Sequence, residues 1–556
     1  MKRNYFYAGV LLICASVLML QIIETRLLSV TSHYYLAFLS ISMAMFGMTA
    51  GAVWVYYRGQ RFTREGLPQD LTSFASAYSL SIVVSLLLQI SHAPVQVVSA
   101  TMLVLWTELA LVMATPFFFA GVVVSLALTR SDFPVGQVYA VDLVGASLGC
   151  LGVLAVLGAL DGPSAIIFIA AVASLGAAFF ARSGATPRPV AHNLFDRVSR
   201  WPGVTASVLF GAALLNAATY HGIQPVVVKD RVDNRTNVEY EKWNSYSRIL
   251  SHYPVTTEPM LWAPSPTMPA ALSAAARSLN IDGDAATAML GFDGDLDKVS
   301  YLKFDVTNVA YNIRSNGRAA VIGVGGGRDM LSAWVYGFRD ITGVELNPIF
   351  VDLLTRRSPF VEFAGLSRLP GIHFHVDEAR SWFARTQERF DLVQMSLIDT
   401  FAATGAGAFS LSENGLYTLD GWRHFVGTLT PAGVFTVSRW YAPGAIDETG
   451  RMVSLATRVL LDYGVSDPAS HLFLIANRNL ATLIIARQPL AAADLAKLHR
   501  VAHEMKFGVI LAPDAPPASP LLGAIANARN ATELADRTSG LVFDLTPPTD
   551  DRPFFF

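Results

Sequence analysis

Seven apolar runs in the first 220 residues constrain this chain more than any other feature. They lie near 5–24, 35–57, 74–92, 98–128, 138–160, 163–181 and 203–219. Each approaches or exceeds the roughly 20 apolar residues that an α-helix needs to cross a bilayer. The 556 residues are 52% hydrophobic and only 15% charged, well off the globular average, and membrane helices account for the excess. The Met-Lys-Arg start opens a first membrane helix rather than a secretory signal, because no small-residue cleavage site follows and further apolar runs come at once. A formal net charge of -2 without any basic stripe excludes nucleic acid as a partner. Cys14 and Cys150 both sit inside apolar runs, so they read as lipid-facing or packing residues, with no disulfide, thiolate metal site or catalytic thiol.

From about residue 225 the pattern changes. Charges return, apolar runs shorten to strand length, and Pro and Gly punctuate them as in a soluble α/β domain. The chain therefore divides into a helical membrane domain over 1–220, a small β-rich region over 221–300 and a Rossmann-like domain over 301–556. Lys2 and Arg3, then Arg58, Arg61 and Arg64, then Arg130, then Arg182, Arg188, Arg197 and Arg200 mark alternate loops, and such residues stay on the cytoplasmic side. With seven spans that rule puts the C-terminal domain outside. Six or eight spans put it in the cytoplasm of a multi-pass cell-membrane protein, where a nucleotide cofactor is made, and this is the expected arrangement. Glu108 and Pro116 allow the long 98–128 run to be two short helices. The seventh run, which carries Asn216, can instead lie in the membrane interface.

The stretch RAAVIGVGGGRDMLSAWVYGF reads as a buried strand ending at Ile322, a glycine turn, and a helix opening near Arg328. Gly323, Gly325 and Gly327 let the backbone turn sharply and approach a ligand, and a helix N-terminus presents free N–H groups. Roughly twenty residues on, DITGVELNP places Glu345 at the end of a second strand, where a Rossmann site puts a carboxylate on ribose hydroxyls. A third strand, GIHFHV, ends at Asp377, and a fourth, FDLVQMSLI, delivers Ser396 and Asp399 to the same edge. A helix at GWRHFVGTLTP and strands at GVFTVSRW, HLFLIA and TLIIAR continue the pattern. A dinucleotide would suit the glycines and Glu345 equally. The order of the late strands and the position of Asp377, suited to an adenine amine, favour S-adenosylmethionine or a close relative of it.

These residues resemble the spermidine synthase family, and specifically its membrane-integrated relatives, over most of the chain. QIIETRLLSV with YYLAFLSISMAMFGMTAG is similar to the first two helices of those relatives and VGQVYAVDLVGASLG to a later one. EKWNSYSRI resembles the strand that opens the aminopropyltransferase β region, and GFDG its following hairpin. IGVGGGRDM, GVELNP, VDEAR and PPTDDRPFFF resemble the core and tail. The resemblance implies a fold of the class I methyltransferase or spermidine synthase type. In it Gly323, Gly325, Gly327, Glu345 and Asp377 hold the adenosyl group of S-adenosylmethionine or its decarboxylated form, with no metal.

Three departures qualify it. Where the family carries its first catalytic aspartate after the fourth strand, this chain has Ser396, leaving Asp399 as the candidate base. Gly326 stands where the GGGDGG pattern has its aspartate, and Tyr301-Leu302-Lys303 replaces Tyr-His-Glu. Tyr246, Ser396, Glu413 and Tyr417 are candidates for an acceptor pocket. Expectation therefore divides between a membrane-bound aminopropyl or methyl transferase, with a small amine or lipid-linked acceptor, and a transporter or sensor that binds an adenosyl ligand without turnover. Of the intramembrane ionisable residues, Glu24 and Arg26 sit at a helix end, where snorkelling to the surface is expected. Asp142 and Glu108 could bind a polar head group or a cation. The final Phe554-Phe555-Phe556 could dock on the domain or on the bilayer.

Overall fold

The computed structural model describes residues 1–32, 37–91, 99–184, 200–283, 285–398, 414–444 and 446–555, and it forms two compact units. One comprises Met1–Ser251 with Asn280–Ala285, the other His252–Leu279 with 286–398 and 414–555.

The first unit is led by six apolar helices long enough to cross a membrane: α1 Arg3–Thr31, α2 Ala37–Tyr57, α3 Leu67–Ser91, α4 Ala100–Arg130, α5 Val135–Ala159 and α6 Gly162–Ser183. The 98–128 run is one helix rather than two. It continues through Pro116, a position buried by neighbouring helices, whose packing makes a single lost amide tolerable. The seventh run forms a shorter helix, α7 Pro202–Ala217, whose 16 residues span only about 24 Å. Asn216 Nδ2 donates to Ser164 Oγ at 2.8 Å and Ser174 Oγ to Pro202 O at 2.9 Å, so α7 lies along α6.

Helices pack through small residues. Gly47 and Gly51 of α2 face α4 so closely that a Cβ at Gly51 would stand 2.3 Å from Phe118 O. One at Gly149 of α5 would stand 2.4 Å from Ala15 O of α1. Both are glycines of a GxxxG spacing, which lets backbones approach where lipid offers no hydrophobic drive to associate.

The two ends of the bundle differ in charge. At one end Lys2 N donates to Ser183 O at 2.7 Å, Arg130 Nη2 to Gly59 O at 3.0 Å, and Arg64 pairs with Asp132. Lys2, Arg3, Arg58, Arg61, Arg64, Arg130 and Arg182 belong to helix ends and loops at this end. At the other, Val226 N donates to Ile90 O and Lys229 N to Thr31 O, so the chain beyond α7 meets the C-termini of α3 and α1. Arg26 does not snorkel. Its Nη2 contacts both carboxylate oxygens of Asp282 at 2.9 Å with neither side chain exposed. Asp282 and Gly283 turn the chain there with φ of +49° and +89°.

Strands β1 Val238–Trp243 and β2 Arg248–His252 are neighbours across the Asn244–Ser247 turn, and β3 Val255–Thr257 pairs antiparallel with β4 Ala274–Ile281, which also pairs β5 Ala285–Leu290. The GFDG segment, expected as a hairpin, is the irregular stretch after β5. The reversal is made upstream instead, at the Asp282-Gly283 pair, whose left-handed geometry suits a tight turn between strands.

The second unit is built on an eight-stranded sheet. Its strands are β6 Arg318–Ile322, β7 Asp340–Glu345, β8 Ile372–Val376, β9 Phe390–Ser396, β10 Leu429–Trp440, β11 Leu472–Asn477, β12 Leu480–Ala486 and β13 Gly508–Leu511. Their order is β8-β7-β6-β9-β10-β12-β11-β13. The first five are mutually parallel, and β12 enters antiparallel between β10 and β11. This is a Rossmann-like sheet whose chain order reverses between β6 and β9, and ligands of such sheets bind at the strand C-termini beside that reversal. Central strands such as β12 are buried throughout, as expected for a sheet covered on both faces. Phe555 is in this core, 4.8 Å from the Tyr417 ring, so this residue of the aromatic tail docks on the domain while Phe554 is exposed.

Candidate functional site

Register brings the sequence candidates into one row. Ile322 pairs with Val344 on one side and Met395 on the other, while Glu345 pairs with Val376. The residues just beyond, Gly323, Glu345, Asp377 and Ser396, therefore share the C-terminal edge. Gly323, Gly325 and Gly327 have φ of +76°, +50° and +85°, the left-handed region that a β-carbon disfavours. Gly323 is exposed to the crevice, while Gly326 and Gly327 are buried.

The turn differs from its expected electrostatics. Its amides were expected to be free for a ligand, but Gly323 N donates to Val344 O, Gly325 N to Glu345 Oε2, Gly326 N to Thr287 Oγ1 and Gly327 N to Val324 O. The turn is thus self-satisfied, and what it offers a ligand is close backbone approach. Gly327 caps the helix α8 Arg328–Val335 without any side-chain bond.

Glu345 holds the turn from beneath. Its two oxygens accept from Gly325 N and Asn347 N, both at 2.9 Å. Burial raises its pKa above the ordinary value, and the surrounding backbone N–H groups only partly offset that. Among the described residues these two donors are neutral amides, and each carboxylate oxygen has lone pairs for a second donor such as a ribose hydroxyl.

Asp377 is half-buried, donates its N–H to Glu345 O at 3.0 Å, and its carboxylate pairs with Arg385. It is not the cap of the next helix. That role belongs to Glu378, which accepts from Arg380 N and Ser381 N.

Ser396 is 8% exposed at the end of β9 and belongs to a neutral network. Gln394 Nε2 donates to Ser396 Oγ at 3.0 Å, and Tyr311 OH donates to Gln394 Oε1. Asn308 Nδ2 donates to Ser332 Oγ at 3.1 Å on α8. Residues two apart on a strand share a face, which puts Gln394 and Ser396 together. Gln394 and Tyr311 were missed in the sequence, although a glutamine inside the apolar run FDLVQMSLI was a usable signal. The next residue, Leu397, has φ of +47°, a strained conformation for a bulky side chain of the kind that collects at functional sites.

Beside the turn, the Arg328 guanidinium lies 4.9 Å over the Trp262 ring and bonds Asp329 Oδ1. Trp262 meets Trp440, the last residue of β10, edge to face. Burial raises the neighbouring Tyr301 phenol to about 12.

The other candidates are not all gathered here. Asp399 and Glu413 lie outside the described residues. Tyr246 belongs to the other compact unit, in the turn between β1 and β2, where its N–H bonds Asn244 Oδ1. Tyr417 is a core residue rather than a pocket wall. It is 0% exposed, and its hydroxyl accepts from Arg439, itself paired with Glu448. The described residues hold no group of three His, Cys, Asp or Glu that could bind a metal ion.

No protein-family model matches the chain, and no curated protein matches it. Among solved structures it is similar to a probable spermidine synthase from Corynebacterium glutamicum, at 17% identity and TM-score 0.33 over 56% of this chain and 95% of that one. A spermidine synthase in complex with the transition-state analogue AdoDATO is similar at 12% identity and TM-score 0.29, over 46% of this chain and 75% of that one. Human methyltransferase-like protein 13 in complex with SAH is similar at 15% identity and TM-score 0.25, over 36% and 89%.

Proposed function

We propose that the chain is a multi-pass membrane protein whose second unit binds S-adenosylmethionine or its decarboxylated form and transfers a group from it. The reading rests on one observation. The left-handed glycine turn is held by Glu345, and both stand at the strand edge beside the sheet's reversal, with Asp377 in the same row. A nucleophile would attack the carbon bonded to the sulfonium, the C–S bond would break, and a neutral thioether would leave. An amine nucleophile would also give up a proton, for which Asp399 is the proposed base and a membrane-associated amine or lipid the proposed acceptor. The transferred group is aminopropyl by family resemblance or methyl by fold.

Titration of the full chain in lipid nanodiscs with both sulfonium forms, followed by mass spectrometry of products, tests this. Turnover with loss of activity in Asp399→Asn supports it; absence of binding by either form ends it.

A second reading, a sensor or transporter that binds the adenosyl ligand without turnover, is favoured by a specific observation. The basic residues gather at the bundle end opposite to the one met by residues 226–229, and basic ends face the cytoplasm. By that rule residues 226–229 would lie away from the cytoplasm, where the cofactor is made. Labelling of single cysteines at positions 64 and 230 in sealed vesicles separates the readings: cytoplasmic reactivity at 230 supports the transferase, and reactivity from the opposite side supports the sensor.

A further inference from the structure

Glu24, expected to snorkel like Arg26, does not. It is 1% exposed in a helix that ends at Thr31, which places it about 10 Å inside the bundle end that residues 226–229 meet. Its partner is Gln89 of α3, 5% exposed, whose Nε2 donates to Glu24 Oε1 at 3.2 Å and to Ser85 Oγ at 3.0 Å. Ser85 Oγ in turn donates to Val112 O of α4. The remaining oxygen of each partner, Glu24 Oε2 and Gln89 Oε1, is buried and accepts from no donor. All of these residues belong to the first compact unit.

Among the described residues no cation meets Glu24. Arg26 is committed to Asp282, and the Lys229 side chain lies beside Gly283. Arg130 of α4 and Arg182 of α6 stand at the opposite end of the bundle. Glu108 of α4 and Tyr56 and Tyr57 of α2 are exposed, Asp142 of α5 faces Cys14, and Asp161 caps α6. Tyr78 of α3 and Cys14 of α1 bring only a phenol and a thiol to the seam. An ionised carboxylate with one neutral donor is costly in such a place, because buried charges are otherwise paired. Two orphaned acceptors on groups that already share a hydrogen bond point to one missing hydrogen. Turning the Gln89 amide over, which exchanges its nitrogen and oxygen, would set an oxygen against Glu24 Oε1 and call for the same hydrogen.

We propose that Glu24 is an intramembrane proton-binding site, in which a proton on Oε2 donates to Gln89 Oε1 while Gln89 Nε2 donates to Glu24 Oε1. Binding forms one O–H bond, removes the charge and turns an orphaned acceptor into the donor that the amide oxygen lacks. The proton thereby closes a two-bond pair between α1 and α3, and its loss returns a charge to a seam without a cation. A metal ion fits poorly, since hard cations take about six oxygen ligands and the pair offers two free acceptors. Ionisable groups held inside a membrane bundle mark ion and proton paths. The site stands whether or not the second unit transfers a group.

The test reads the carbonyl band of a neutral carboxylic acid in infrared spectra of the full chain in lipid nanodiscs at neutral pH. Wild type should show such a band, and Glu24→Gln, which keeps the size of the side chain, should lack it. Gln89→Leu removes both hydrogen bonds to the acid and should move the band to higher frequency. Carbon-13 labelling of glutamate shifts the band in wild type without any substitution, so the reading does not depend on a variant that folds. A label-sensitive band that Glu24→Gln abolishes and Gln89→Leu shifts supports the site. The proposal is overturned by wild type without a label-sensitive acid band, by a band kept in folded Glu24→Gln or unmoved in folded Gln89→Leu, or by a band lost when sodium replaces choline in the buffer.

Discussion

Two buried carboxylates, one in each compact unit, are satisfied in opposite ways. Asp282 meets the Arg26 guanidinium, the Ser29 hydroxyl and Arg248 N. Glu345, also buried, accepts instead from the uncharged backbone amides of Gly325 and Asn347, and burial raises its pKa. The first is a closed arrangement in which a charge from the β4–β5 turn is matched by a charge from α1. The second leaves negative charge imperfectly compensated beside a strained turn. Full compensation marks a clasp, and partial compensation marks a place that a ligand can complete.

The largest effect should come from opening the clasp. Asp282→Ala strands a buried guanidinium and should cost about 3–5 kcal/mol, read as the denaturation midpoint of the purified protein. An Arg26→Met, Asp282→Leu double variant should recover most of it, and a double variant as unstable as the single one would break the comparison. Next, Gly326→Ala should cost about 1–3 kcal/mol by overpacking, since its β-carbon would stand 2.3 Å from Ala288 O; calorimetry should show adenosyl binding falling with it.

Glu345→Gln should act through pH. Burial raises the pKa of Glu345, so its stabilising contribution is complete below its unfolded value near 4.5 and is lost as pH rises through the folded value. Melting curves between about pH 4 and pH 7 should show wild type losing stability that the variant keeps, and parallel curves would remove the contrast with Asp282. The smallest effect belongs to Ser396→Ala, about 0.5–1.5 kcal/mol for the lost bond from Gln394, measured by the same melts.

What the sequence reveals follows the reach of its signals. The strands at 318–322, 340–345, 372–376 and 390–396 and the glycine turn are local patterns, and they stand where the residues place them. The long apolar helices are equally legible, because length and apolarity alone define them. The Arg26–Asp282 pair joins residues 256 apart, and no period in a chain announces such a partner, so snorkelling looked sufficient. Tyr417 reads as a pocket residue because its neighbours SLSENG are polar, whereas the Arg439 and Phe555 that bury it come from later in the chain. The satisfied amides of the glycine turn were hidden for the same reason, since Thr287 arrives from a distant strand.

The contact between Gly326 and β5 also limits what can stand at this position. Gly326 N bonds Thr287, and the backbone of Ala288 fills the space a side chain would need. A carboxylate therefore cannot be accommodated at this position by a single substitution: the strand would have to retreat, so an acid placed here needs a second, space-making change near 287–289.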